Sequence, residues 1–135
     1  MAKRRYTHER RPLTEDEIDY FKELLLKRKK ELWREVIETL EREAGEEYQD
    51  LIRTVKEEED LALADIQEDT LLSLLEPKIR ELEEIDQALL RIELGEYGRC
   101  VDCGKWLRLG RLEIMPWAAR CRECQEKWEQ LKAIE

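Results

Sequence analysis

All four cysteines of this chain fall in one short stretch, as Cys100-Val101-Asp102-Cys103 and Cys121-Arg122-Glu123-Cys124, with residues 104–120 between the pairs. A CxxC turn directs two thiolates to one side, and two such turns at this separation close a tetrahedron of sulfur around a single Zn²⁺. Two disulfides are the competing use of the same residues. They are disfavoured because Met1-Ala2-Lys3-Arg4-Arg5 leads into more charge and not into the apolar stretch of a secretory signal. Four cysteine ligands leave no open position for water or substrate, so one structural zinc is expected, with no catalytic role. The single histidine, His8, lies in the basic N-terminal stretch, which makes histidine-based catalysis improbable.

The elements that position these cysteines follow from composition. With 135 residues, 44% of them charged, five glycines and three prolines, the chain has the makeup of long solvated helices and not of a compact globule. A net charge of −9 argues against a nonspecific grip on DNA, where Lys and Arg must outnumber carboxylates on the contact face. Neither is there a basic recognition helix of the kind a DNA-binding zinc finger uses. No apolar run approaches the length of a membrane span.

Residues 1–13 read as a flexible basic arm carrying Lys3, Arg4, Arg5, Arg10 and Arg11. Thr14-Glu15-Asp16-Glu17 is a capping box, and Ile18, Phe21, Leu24, Leu25, Leu32, Val36 and Leu40 follow at helical spacing. Tyr48, Leu51, Ile52 and Val55 carry the pattern on past Gly45, which predicts a soft point in a helix reaching Val55. The acidic run Lys56-Glu57-Glu58-Glu59-Asp60 marks the turn. A second seam, Leu71, Leu75, Ile79, Leu82, Ile85, Leu89 and Ile92, closes at Leu94-Gly95, with a kink expected near Glu76 before Pro77. The two helices, about 63 Å and 46 Å long at 1.5 Å per residue, should zip antiparallel. The surplus of the first is expected to pack on the zinc module.

The expected fold is therefore mainly α: an antiparallel coiled-coil hairpin over 14–95 with an acidic tip near 56–65, and a four-cysteine zinc finger with a C-terminal helix over 96–135. Trp106, Leu107, Leu109, Leu112, Ile114, Met115 and Trp117 should cover the metal module. Trp128 and Leu131 should dock the last helix on the base. The seams match within one chain, which implies a monomer.

The segment Ile92 to Gly104, the run Arg111-Leu112-Glu113-Ile114-Met115-Pro116 and the closing Cys121-Arg122-Glu123-Cys124, behind a helical hairpin, resemble the DksA/TraR family of bacterial RNA polymerase-binding proteins. The resemblance implies a cytoplasmic, non-enzymatic transcription regulator that enters the polymerase secondary channel and presents an acidic tip near the catalytic magnesium. The family's tip motif, Asp-x-x-Asp-x-Ala, falls by gapless count from Cys100 on Glu57-Glu58-Glu59-Asp60-Leu61-Ala62. Glu57 departs from the pattern; Asp60 and Ala62 match. The same count puts the family's basic contacts to guanosine tetraphosphate on Glu84, Met115 and Gln125, none of them basic. The resemblance therefore implies an alarmone site that is weak, absent or rebuilt from neighbours such as Arg80, Arg120 or Arg122. The alternative class is a zinc-stabilised coiled-coil adaptor that does not bind polymerase.

Overall fold

The structure, a computed structural model, describes residues 9–134. Its elements are five α-helices, α1 (Glu15–Glu43), α2 (Gln49–Glu58), α3 (Asp69–Leu94), α4 (Leu109–Ile114) and α5 (Arg122–Ile134), with no strand among the described residues. The chain is mainly α, a helical hairpin with a four-cysteine module and a C-terminal helix. It divides into two compact units, one of residues 26–83 and one joining the residues up to Leu25 with those from Glu84 onward.

In the unit of residues 26–83, α1 and α3 run antiparallel. As α1 advances from Arg28 to Glu35, its ion-pair partners on α3 retreat from Glu81 (2.5 Å) to Lys78 (2.9 Å). Leu32, Val36 and Leu40 of α1 and Leu71, Leu75, Ile79 and Leu82 of α3 are all buried. The Lys78 hydrogen bond, aided by Arg28, holds the Glu35 carboxyl below its usual range. Pro77 lies inside α3, yet the helix continues from Asp69 to Leu94. Pro77 and Ser73 are both exposed, so the Ser73 carbonyl left without its helical donor faces water.

The first helix does not reach Val55. Ala44 makes the last backbone bond of α1, to Leu40, and Gly45 is extended at φ −79°, ψ −178°. A 3₁₀ turn over Glu46–Tyr48 leads into α2. Were α2 coaxial with α1, residues 41 and 56 would stand about 22 Å apart. Instead Lys56 Nζ lies 2.7 Å from Glu41 Oε2, so α2 turns away from the axis of α1. Burial decides against the straight helix: the turn covers Tyr48, Ile52 and Val55, and the Tyr48 hydroxyl accepts the Gln67 N–H at 3.2 Å. Ending α1 at Gly45 also avoids the roughly 1 kcal/mol by which Gly weakens a helix, so both effects favour the turn. The surplus expected to pack on the zinc module is instead α2, which belongs to the unit of residues 26–83, and α1 and α3 have similar lengths, 29 and 26 residues.

In the other unit, the capping box forms as the sequence predicts. Thr14 N–H donates to Glu17 Oε1 at 2.9 Å and Glu17 N–H to Thr14 Oγ1 at 3.2 Å. Phe21 and Leu25 of α1, Ile85 and Ala88 of α3, and Leu107, Leu109 and Leu112 of the inter-cysteine loop are buried. Helix α3 ends in a Schellman motif: Glu96 N–H reaches Arg91 O at 2.8 Å, Gly95 N–H reaches Ile92 O at 3.2 Å, and Gly95 takes φ +75°.

Two expectations change here. Residues 1–8, with His8, lie outside the described residues, but Glu9 to Pro12 are not a free arm. Leu109 N–H donates to Glu9 O at 3.0 Å, Arg10 pairs with Arg108, and Arg11 grips Glu17. Helix α5 does not dock through its apolar side, since it has no buried residue. Trp128 instead takes Arg120 and Lys132 against its ring, at 4.9 and 5.3 Å from the centroid. Leu131 is 64% exposed; two apolar positions on so short a helix make too narrow a stripe to bury.

Candidate metal centre

The first cysteine pair sits in a backbone knuckle built on two left-handed glycines. Gly98 at φ +91° and Gly104 at φ +77° turn the chain into and out of it, a conformation that costs other residues dearly. A Cβ on Gly98 would also press on Leu13 Cδ1 at 3.2 Å. The knuckle is pinned by Cys100 N–H to Lys105 O at 2.8 Å, Gly104 N–H to Cys100 O at 3.0 Å and Leu107 N–H to Gly98 O at 2.8 Å. Val101 N–H to Ala119 O at 2.9 Å draws in the segment leading to Cys121, and Gln125 N–H to Cys121 O at 2.8 Å starts α5, whose first turn carries Cys124.

The result gathers Cys100, Cys103, Cys121 and Cys124 with all four sulfurs within 4.8 Å of one another. Cys103 Sγ and Cys121 Sγ are 3.8 Å apart. A tetrahedron of sulfurs about 2.3 Å from a central ion has edges of about 3.8 Å, whereas a disulfide needs about 2.05 Å. All four thiols are free of disulfides, so the geometry fits a metal and not the competing reading.

Electrostatics point the same way. Burial opposes ionisation of Cys100, but backbone N–H groups around its sulfur, including those of Cys103 and Cys121, outweigh it and bring the thiol down to about 6. Cys124 is pushed up to about 12 by its contact with Cys121, by burial and by the remaining cysteines. Cys100 thus ionises readily while Cys124 resists, as expected of sulfurs crowded together. An all-cysteine donor set of this size suits Zn²⁺.

The tip residues are placed elsewhere. Glu57 lies in the last turn of α2, which ends at Glu58; Glu59 caps it in the left-handed region at φ 50°, ψ 52°. Asp60 follows, and Ala62 accepts the Asp65 N–H at 2.9 Å to open a short 3₁₀ turn over Leu63–Asp65. Glu57, Glu58, Glu59, Asp60 and Ala62 are all exposed, while Leu61 and Ile66 are buried and hold the segment down. The acidic stretch is the outgoing end of α2 and the start of the segment that leads to α3. Glu84 lies on α3, Met115 caps α4 and Gln125 lies on α5, where its amide donates to Glu129 at 3.0 Å. The basic neighbours are engaged: Arg80 with Glu76, Arg120 with Asp102 at 2.7 Å, and Arg122 with Glu126 at 3.4 Å. The Arg11–Glu17 grip escaped sequence reasoning, because nothing in the spacing distinguishes Arg11 from the other arginines around it.

Comparison with known proteins agrees with this geometry. Residues 95–130 match the prokaryotic dksA/traR C4-type zinc finger. Over 124 residues the chain is 36% identical to the RNA polymerase-binding transcription factor DksA of Caulobacter vibrioides, covering 90% of this chain and 82% of that protein. An uncharacterized protein of Aquifex aeolicus is 40% identical over 113 residues, 80% of this chain and 78% of its own. Among solved structures, transcription factor DksA2 from Pseudomonas aeruginosa superposes with a TM-score of 0.58 at 30% identity, covering 88% of each chain. The DnaK suppressor protein from Agrobacterium tumefaciens C58 gives 0.54 at 29% identity, over 82% of this chain and 92% of that one.

Proposed function

The chain belongs to the DksA/TraR family, and from that premise we propose that it is a transcription regulator that binds RNA polymerase through the secondary channel. The observation that carries the reading is the 36% identity over 124 residues to a polymerase-binding transcription factor, which takes in the hairpin as well as the zinc finger. Exposed carboxylates at Glu57 and Asp60, with Ala62 beside them, would act close to the polymerase active site to modulate initiation. Inside a channel of low effective dielectric, one carboxylate changes the field on a catalytic metal or on nearby mobile protein far more than it does in water. Asp60 is the working group in this reading. The turned-back α2 would present it on a broadened head.

One Zn²⁺ held by Cys100, Cys103, Cys121 and Cys124 would hold the base together and do no chemistry, since no ligand position is left for a substrate. The protein is a binding factor and not an enzyme, and its partner makes it cytoplasmic. No described helix is long and apolar enough to cross a membrane. It would act as a monomer, because the seams of α1 and α3 meet within one chain. Guanosine tetraphosphate would contribute little, as Glu84, Met115 and Gln125, the positions that match the family's basic contacts, offer it no positive charge.

Co-purification tests the partner. Zinc-loaded protein carried through size exclusion with core RNA polymerase should co-elute with it. Elution at the free position at micromolar concentrations of both would favour the adaptor reading instead.

A further inference from the structure

We propose that a hollow beside the cysteine cluster is a docking site for an acidic peptide segment of a partner protein, one offering carboxylates next to an aliphatic side chain. The hollow, about 290 Å³, is walled by Arg10, Arg108, Arg111 and Arg122, with Ile114 and Met115 among its lining residues. These arginines come from three separate stretches of the chain: the segment before α1, the N-terminal side of α4, and the start of α5. In a protein of net charge −9, such convergence concentrates positive charge on one side of the cysteine cluster, whose Cys121 also lines the hollow.

The guanidinium groups are only partly satisfied from within. Arg111 Nε donates to Arg120 O at 3.0 Å, Arg122 Nε to Glu126 at 3.4 Å, and Arg10 stands 4.0 Å from Glu123. Two carboxylates thus serve four cations. Arg108 is exposed and interacts with Glu123 through its charge, with no side-chain hydrogen bond among the described residues to hold it in place. The cations are all arginine, whose planar fork matches a carboxylate through two parallel hydrogen bonds.

The apolar lining selects the class of ligand. Ile114 is 79% exposed, so a bare phosphate would satisfy the arginines and leave this side chain in water. A peptide carrying an aliphatic residue among its acids covers both, and arginine and methionine together are what protein interfaces favour. The site does not depend on the identity of the partner proposed above.

The test uses the full zinc-loaded chain and a fluorescent peptide of alternating glutamate and leucine, read by anisotropy at low ionic strength. Binding should saturate, and should weaken at least tenfold in the double variant Arg108→Gln, Arg122→Gln and with a glutamine–leucine peptide. Both arginines are exposed, and circular dichroism with zinc content checks the variant. Should it lose either, Ile114→Glu serves in its place, since it repels the acidic peptide from an already exposed position and should weaken binding as much. Absence of saturable binding, equal binding of the glutamine peptide, or tighter competition by tripolyphosphate or a single-stranded oligonucleotide would overturn the proposal. So would a concentration-dependent dimer that the arginine variant abolishes, which would make the occupant a second copy.

Discussion

The Tyr97 hydroxyl donates a 2.6 Å hydrogen bond to the Pro116 carbonyl, joining the turn after α3 to the loop before the second cysteine pair. Tyr97 is buried, its ring 6.1 Å from that of Phe21, and burial pushes its phenol well above the usual range, so it stays a neutral donor at every physiological pH. Tyr97→Phe leaves the Pro116 carbonyl without this partner in an apolar setting. It should cost about 1–2 kcal/mol, read as a lower melting temperature of zinc-loaded protein with the helical content unchanged. An unshifted melt would mean that the carbonyl finds water instead.

The grip of Arg11 on Glu17, two hydrogen bonds of 2.8 Å, makes an acid-sensitive fastening of the segment before α1. The Arg11 bonds, with backbone and hydroxyl donors from Thr14, hold the Glu17 carboxyl at about 2 against an ordinary 4.5. A carboxyl depressed in the folded state contributes stability in full above its unfolded value and loses it as pH falls toward the folded one. The wild type should therefore lose stability between pH 4.5 and pH 2, and Glu17→Gln should flatten that part of the denaturation profile. Parallel profiles for the two proteins would contradict the assignment.

Glu59 is the described non-glycine residue with positive φ. The left-handed region costs an L side chain about 1 kcal/mol, and glycine avoids the cost. Glu59→Gly should raise stability by about 0.5–1 kcal/mol in urea titration, despite glycine's larger entropy when unfolded. Destabilisation would show that α2 does not end in this left-handed cap.

Much of this fold was legible in the sequence, for identifiable physical reasons. Thr14-x-x-Glu17 and Leu94-Gly95 are local devices, and both ends form as the residues dictate. The cysteine spacing was equally direct, because a closed four-sulfur site depends on little but the turns that carry it. Tyr48, Ile52 and Val55 misled, since helical periodicity identifies an apolar face without saying what covers it. Only the burial gained by turning α2 at Gly45 sets its direction. The same gap hid the fate of Trp128, where an amphipathic pattern implied docking and stacking with Arg120 and Lys132 takes its place. Arg10, Arg108, Arg111 and Arg122 are scattered in sequence, so no motif could have announced the hollow they share.

Metal removal should act on one part of the protein. Without the ion, Cys100, Cys103, Cys121 and Cys124 are left as crowded thiols, and the knuckle built on Gly98 and Gly104 loses the bonds that justify its conformation. A strong chelator should shift the tryptophan fluorescence of Trp106 and Trp117 while far-ultraviolet circular dichroism keeps most of its helical signal, since α1 and α3 have their own buried seam. Indifference of both signals to the chelator, or no stoichiometric zinc in the purified protein, would refute the structural metal.

The measurement that bears most directly on the central claim compares wild type with Asp60→Asn in two assays on the same preparations: competition binding to core RNA polymerase and initiation from a responsive promoter. The substitution keeps size and removes one charge from an exposed side chain, so the packing of Leu61 and Ile66 beneath it should be untouched. The account predicts binding within about twofold of wild type and regulation abolished, with Glu57→Gln milder because its longer stem holds the carboxylate less firmly. Full regulation by Asp60→Asn would contradict the account, placing the working group elsewhere in the segment.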